Sequence, residues 1–168
     1  MAFRKKAGLI FDEAPDILIV PECECPEKLK LRPDLPFPTS VLWYGVNPHK
    51  GLAVFSFGPY KLKLLKTHNE SISIILPIEV TGGAFNFTLI ATWAYNNHDK
   101  GYNYIGQVWK AIEHYAKILK RKNVIIAGDF NSNVFWDKLK RKVSHTMVVK
   151  KLSEMGIHST YHGFLNLE

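Results

Sequence analysis

Apolar residues along the 168-residue chain recur at two spacings, one helical and one of strands. Phe3, Ala7, Ile10 and Phe11 fall at helical spacing, which predicts an amphipathic helix over 3–13 ended by Pro15. Asp16-Ile-Leu-Ile-Val-Pro-Glu22 is a short apolar run of the kind that forms a buried strand, and it finishes on a carboxylate. Residues 26–40 carry Pro26, Pro33, Pro36 and Pro38 without apolar periodicity, so they read as a connecting loop. Short strands are expected at 41–44, 52–57, 62–65, 71–80 and 85–93, with Thr81-Gly-Gly joining the last two as an antiparallel hairpin. Between Tyr104 and Leu119, the residues Ile105, Val108, Trp109, Ile112, Tyr115, Ala116 and Leu119 form one apolar face of the longest helix. Lys120-Arg-Lys closes that helix favourably against its dipole.

The stretch Asn123 to Asn131 then carries β-branched Val124, Ile125 and Ile126 into a carboxylate and an amide. An unbroken apolar run predicts a strand buried on both faces. Gly128 removes a side chain where a ligand or another backbone approaches, and Asp129 and Asn131, two apart on an extended chain, share a side. A strand end whose Asp and Asn cap the following turn accounts for the pair equally well. Beyond it, Phe135-Trp136 and Leu139 predict a short helix with Lys138, Lys140, Arg141 and Lys142 in water. A further helix is expected over 146–155, with Val148, Val149 and Leu152 inward and Gly156 as its stop, and Ile157 to Tyr161 read as the start of a strand. His145, His158 and His162 are expected to be structural or solvated.

Length and a 46% hydrophobic content support one domain with a real core. A net charge of +7 favours polyanionic partners without choosing among them. Cys23 and Cys25 are too close for an ordinary disulfide and amount to half a zinc site, which reads as reduced thiols in a cytoplasmic protein. No apolar run reaches the ~18 residues of a membrane span, and the first residues lack the apolar core of a secretory signal.

Candidate chemistry rests on the two strand-end acids. Hard divalent cations bind through one or two carboxylates and keep several waters, so Glu22 and Asp129 on adjacent strand ends would suit Mg²⁺ or Mn²⁺. Such an ion polarises a phosphoryl oxygen, with Asn131 donating to the phosphate or orienting water. The plain alternative for Glu22 is a solvated loop residue beside Glu24 and Glu27. Ala91 to Asp99 is aromatic and amide-rich at a strand end, where Trp93 and Tyr95 are expected on opposite sides, Trp93 in the core and Tyr95 in a cleft.

Two segments resemble the signatures of the endonuclease/exonuclease/phosphatase superfamily. Pro-Asp-Ile-Leu-Ile-Val-Pro-Glu22 is similar to the strand with the family's metal-binding Glu, and Gly128-Asp-Phe-Asn-Ser132 to its second signature. The resemblance spans nearly the whole chain in the family's order. It implies an α/β fold: a partial four-layer α/β sandwich of two facing mixed sheets with helices outside and the site at one edge between them. It also implies phosphoester hydrolysis with Mg²⁺ or Mn²⁺, Glu22 and Asp129 on the metal, and Asp129 with Asn131 on the attacking water and scissile phosphate. Tyr95 or Asn96 would stand at the family's central Tyr or His position. Neither the family's opening Trp-Asn strand nor its closing Ser-Asp-His strand has a counterpart, so residues 1–168 are expected to form one domain lacking the first and last core strands. A missing general base typically lowers the rate by about 10²–10⁴-fold, and unpaired sheet edges favour a homo-oligomer. The expected function is nuclease-like phosphodiester hydrolysis. An inactive nucleic-acid or phosphate-binding module is the alternative, and a fragment of a longer parent is a third reading.

Overall fold

The computed structural model describes residues 3–72, 74–137 and 142–165. β1 (Ile17–Cys23), β2 (Ser40–Asn47) and β3 (Lys50–Ser56) form one sheet in the order β1-β3-β2, antiparallel throughout. β4 (Lys61–Leu64), β5 (Ile74–Thr81), β6 (Phe87–Trp93) and β7 (Val124–Asp129) form the second, in sequence order. Its strands are antiparallel except for β6 and β7, which run parallel because a helical crossover joins them. The fold is therefore α/β with two sheets, but only the four-stranded one is mixed, a correction to the expected pair of mixed sheets. The hairpin across Thr81-Gly-Gly forms as its pattern predicts.

Period-2 alternation sorts the strand residues between layers. Ile74, Leu76, Ile78 and Val80 of β5 meet Leu89, Ala91 and Trp93 of β6, and Leu52 and Val54 of β3, in the core between the sheets. Ile75 and Ile90 point the other way, onto α2 (Ile105–His114), α3 (Ala116–Leu119) and Val148 of α4 (His145–Glu154). On the far side, Ala53 and Phe55 pack under Phe3, Ala7 and Phe11, with Phe3 stacked on Phe55 at 5.7 Å between ring centres. Helix, sheet, sheet and helix thus make four layers over three cores. No helix of the described residues is long and apolar enough to cross a membrane.

Several local expectations are corrected. The helix expected over 3–13 is a 3-10 turn, Phe3–Lys5, followed by α1 (Ala7–Phe11), because Ala14 takes φ +45° and the chain leaves helical geometry before Pro15. The helix expected over 104–119 is broken at Tyr115, which sits at φ −91° and ψ 16°. β7 is not buried on both faces: it is the edge of its sheet, and Ile125 stays 47% exposed where β1 covers it incompletely. Val148 is inward, but Val149, turned about 100° around the helix, is exposed. Ile157 to Tyr161 start no strand; Ser159 accepts the His162 N–H at 3.3 Å and opens α5 (Thr160–Leu165). The short helix after Asn131 is a 3-10 turn, Val134–Trp136. Lys138, Leu139, Lys140 and Arg141 lie outside the described residues, while the Lys142 ammonium sits 5.4 Å from the Tyr102 ring centre.

Candidate functional site

The C-terminal ends of β1, β6 and β7 lie on one rim of the sandwich. The β1–β3 register shifts between Pro21 and Cys23, so Glu22 is bulged out with φ +59°. Its Oε1 lies 2.8 Å from the Nζ of Lys50, the first residue of β3. The same Nζ stands over the Trp93 ring at 5.4 Å from its centre. Trp93 is in turn the register partner of Asp129 across β6 and β7. A chain of contacts from Glu22 through Lys50 and Trp93 to Asp129 therefore joins the two sheets, and both expected acids belong to this rim.

Asp129 and Asn131 are held together. The Asn131 N–H donates to Asp129 Oδ1 and its Nδ2 to Oδ2, both at 2.9 Å, and Nδ2 also donates to the Ala94 carbonyl at 3.0 Å. Asn131 takes φ +45°, a left-handed conformation that an Asn tolerates. The turn-capping role is thus real, and it leaves each carboxylate oxygen a further lone pair for an ion or water. Gly128 is required here: at φ +132°, an added Cβ would lie 2.0 Å from the Thr92 carbonyl oxygen. The close approach is that of the neighbouring strand's backbone.

Trp93 and Tyr95 do not diverge as expected. Residues two apart share a side, and the two rings lie 4.9 Å apart at 32°, Trp93 buried and Tyr95 half-buried. Asn96 is exposed, and its Oδ1 accepts the His98 N–H at 3.1 Å, so its oxygen shapes the loop. Tyr95 also faces Tyr44 of β2, whose phenol pKa is raised by burial and by nearby Glu70 and Tyr95. Tyr44 meets the His68 ring edge-on at 4.7 Å. Among the described residues neither ring nitrogen of His68 has a hydrogen-bond partner, and burial holds its pKa below the ordinary histidine value.

His145, read from the sequence as structural or solvated, opens α4 with its Nδ1 3.2 Å from the Ser132 hydroxyl, the last residue of the Gly128-to-Ser132 signature. Asp137 fixes that start by accepting the backbone N–H groups of His145 and Thr146 at 2.6 and 3.0 Å and the Thr146 hydroxyl at 2.7 Å. Burial pushes the Asp137 pKa up, but these donors outweigh it and leave it lowered. His158 and His162 make contacts to Ser153 and Ser159 within their own helical segments. No sequence signal marks Tyr44, Lys50, His68 or His145, because each reaches the rim through long-range packing.

The donor chemistry suits a hard, largely hydrated cation. Glu22 and Asp129 supply carboxylate oxygens at an open rim, and Mg²⁺ asks for only one or two of these. The fit is to that class alone: among the described residues no group of three or more His, Cys, Asp or Glu side chains could hold a metal, as a closed zinc site would require. Cys23 and Cys25 are free thiols, both buried, and burial, followed by the Glu24 charge, pushes the Cys23 thiol up to about 12, so it is protonated at neutral pH. No protein-family model matches the chain, and no curated protein is found to match it.

Proposed function

We propose that this rim is the site of a Mg²⁺- or Mn²⁺-dependent phosphoesterase acting on nucleic-acid phosphodiesters in the cytoplasm. The observation that carries the reading is the Lys50 ammonium, bonded to Glu22 and seated over Trp93, the register partner of Asp129. It ties the two acids of the resembling signatures to one edge of a two-sheet sandwich. Glu22 and Asp129 would hold the ion, which when bound supplies a Lewis acid for a phosphoryl oxygen and its leaving group. The chain's own part is electrostatic and positional. Asn131, pinned by Asp129 and the Ala94 carbonyl through both hydrogens of its Nδ2, fixes the carboxylate and leaves its Oδ1 as an acceptor for an attacking water. Lys50 brings a second positive charge to a phosphate lying across the rim, and Tyr95, its ring against Trp93, brings a phenol hydroxyl to the same end of the sheet. Asn96 stands exposed in the adjoining loop.

The test is Mn²⁺-dependent cleavage of plasmid or abasic DNA. Activity that disappears in both Asp129→Ala and Glu22→Ala supports the reading, and wild-type protein without turnover at any Mn²⁺ concentration rejects it. A second reading, a phosphate-binding module that does not cut, is favoured by the engagement of Glu22 with Lys50 and of both Asp129 oxygens with Asn131. Salt-sensitive DNA binding without cleavage would select it.

A further inference from the structure

A second feature lies across the four-stranded sheet's other edge. Residues 65–72, between β4 and β5, and the C-terminal end of α2 with α3 enclose an open cavity of about 440 Å³, lined by Lys66, Thr67, His68, Glu70, His114 and Lys117 among others. The loop is held in place: the Asn69 N–H donates to the Tyr115 hydroxyl at 3.3 Å, and that hydroxyl donates to the Ile75 carbonyl at 3.2 Å. His114 Nε2 lies 3.1 Å from the Thr67 carbonyl, an acceptor, so Nε2 carries the proton.

The charge of the lining is one-sided. Among the described residues, neither Lys66 nor Lys117 has an ion-pair partner. The one carboxylate, Glu70, lies near the Tyr44 phenol, whose pKa is raised by burial and then by this charge. Two ammonium groups and the Thr67 hydroxyl remain as donors, with the His114 ring beside them. Lys120, Arg121 and Lys122, all exposed, extend the positive surface directly beyond α3. Behind the cavity, the Tyr44 ring of β2 meets His68 edge-on at 4.7 Å.

We propose that this cavity is a phosphate-binding subsite, separate from the rim and formed by Lys66, Thr67, His114 and Lys117. Compact ammonium charges with a hydroxyl donor match a tetrahedral, multiply charged anion with several acceptor oxygens. The phosphate comes either from a nucleic-acid strand that continues past the rim or from free inorganic phosphate. The proposal does not depend on hydrolysis at the rim.

The test uses the whole chain and a short fluorescent single-stranded DNA, with affinity followed by anisotropy over a salt series. Lys66→Glu combined with Lys117→Glu is expected to lower affinity at least about tenfold and to flatten the salt slope by about 1.4, ~0.7 for each lysine that contacts a phosphate of a single strand. Lys5→Glu with Lys6→Glu makes the same charge change on the opposite outer layer and is expected to leave affinity within about twofold. Affinity is read without divalent metal, so a failure of hydrolysis at the rim leaves this readout intact. In a parallel arm, inorganic phosphate is titrated while the amide signals of Thr67 and His114 are followed by NMR. Shifts that vanish in the Lys66/Lys117 variant, with DNA affinity unchanged, support the subsite with free phosphate as its source. The proposal is overturned if neither arm responds to the cavity variant, or if the Lys5/Lys6 variant weakens DNA binding as much.

Discussion

Single residues at the rim are constrained more tightly than their polarity suggests. Gly128 combines φ +132° with the Thr92 carbonyl where a Cβ would go, so Gly128→Ala is expected to destabilise the fold by about 2–4 kcal/mol through strain and overpacking. The urea midpoint measures it. Cys23 is 1% exposed and its thiol is pushed up to about 12, so it should resist a disulfide reagent at pH 8 in the folded state and react in urea. His68 supplies a pH dependence. Burial lowers its folded-state pKa, so the unfolded chain binds more protons once the pH falls below the ordinary value near 6.5. Its contribution is therefore present above pH 6.5 and lost as the pH falls through its lower folded value. His68→Asn should flatten the stability profile on that acid side, read as urea midpoints across the pH range. The Asp129 and Asn131 pairing was legible because residues two apart on extended backbone share a side. That Asn131 also reaches Ala94 was not, since the two are 37 positions apart.

Elements behave as their periodicity predicts wherever one neighbour covers one face. β5 and β6 alternate cleanly between two cores, and the hairpin signal at Thr81-Gly-Gly sets their register. Prediction fails where coverage changes along an element. Val124 to Ile126 are uniformly apolar, yet Ile125 faces a gap because β7 ends its sheet. Apolar composition does not tell an edge strand from a central one. The long helix breaks at Tyr115, whose hydroxyl is used by the loop 65–72 and Ile75 instead of water. Tyr115→Phe should cost about 1–2 kcal/mol by stranding the Asn69 N–H and should speed amide exchange over residues 67–72. On α4, Val148 is 1% exposed and Val149 50%. Truncating Val148 to Ala should cost about 2 kcal/mol, whereas Val149→Ala should stay within about 0.5 kcal/mol.

On the scale of the whole molecule, three cores stack four layers, and the proposed site lies where the two inner layers end together. β7 is paired on one side by β6, and among the described residues no strand pairs its other side. An exposed strand edge with an apolar residue on it is a template for another chain. Self-association through this edge is expected, with Ile125→Lys shifting the sedimenting species towards a single chain; equal masses for both proteins would refute it.

Taken alone, the amino-acid order determined what is local: the spacing of apolar residues that makes strands and helices, the hairpin turn, and the two apolar segments that run into Glu22 and into Asp129 with Asn131. These follow from backbone sterics and side-chain direction within a few residues. Only the folded chain decided that Lys50 joins Glu22 to Trp93, that His145 meets Ser132, that β7 stands at an edge, and that Lys66 and Lys117 line one cavity. Such meetings depend on which sheet faces cover which, and that is set by burying apolar surface across the whole chain.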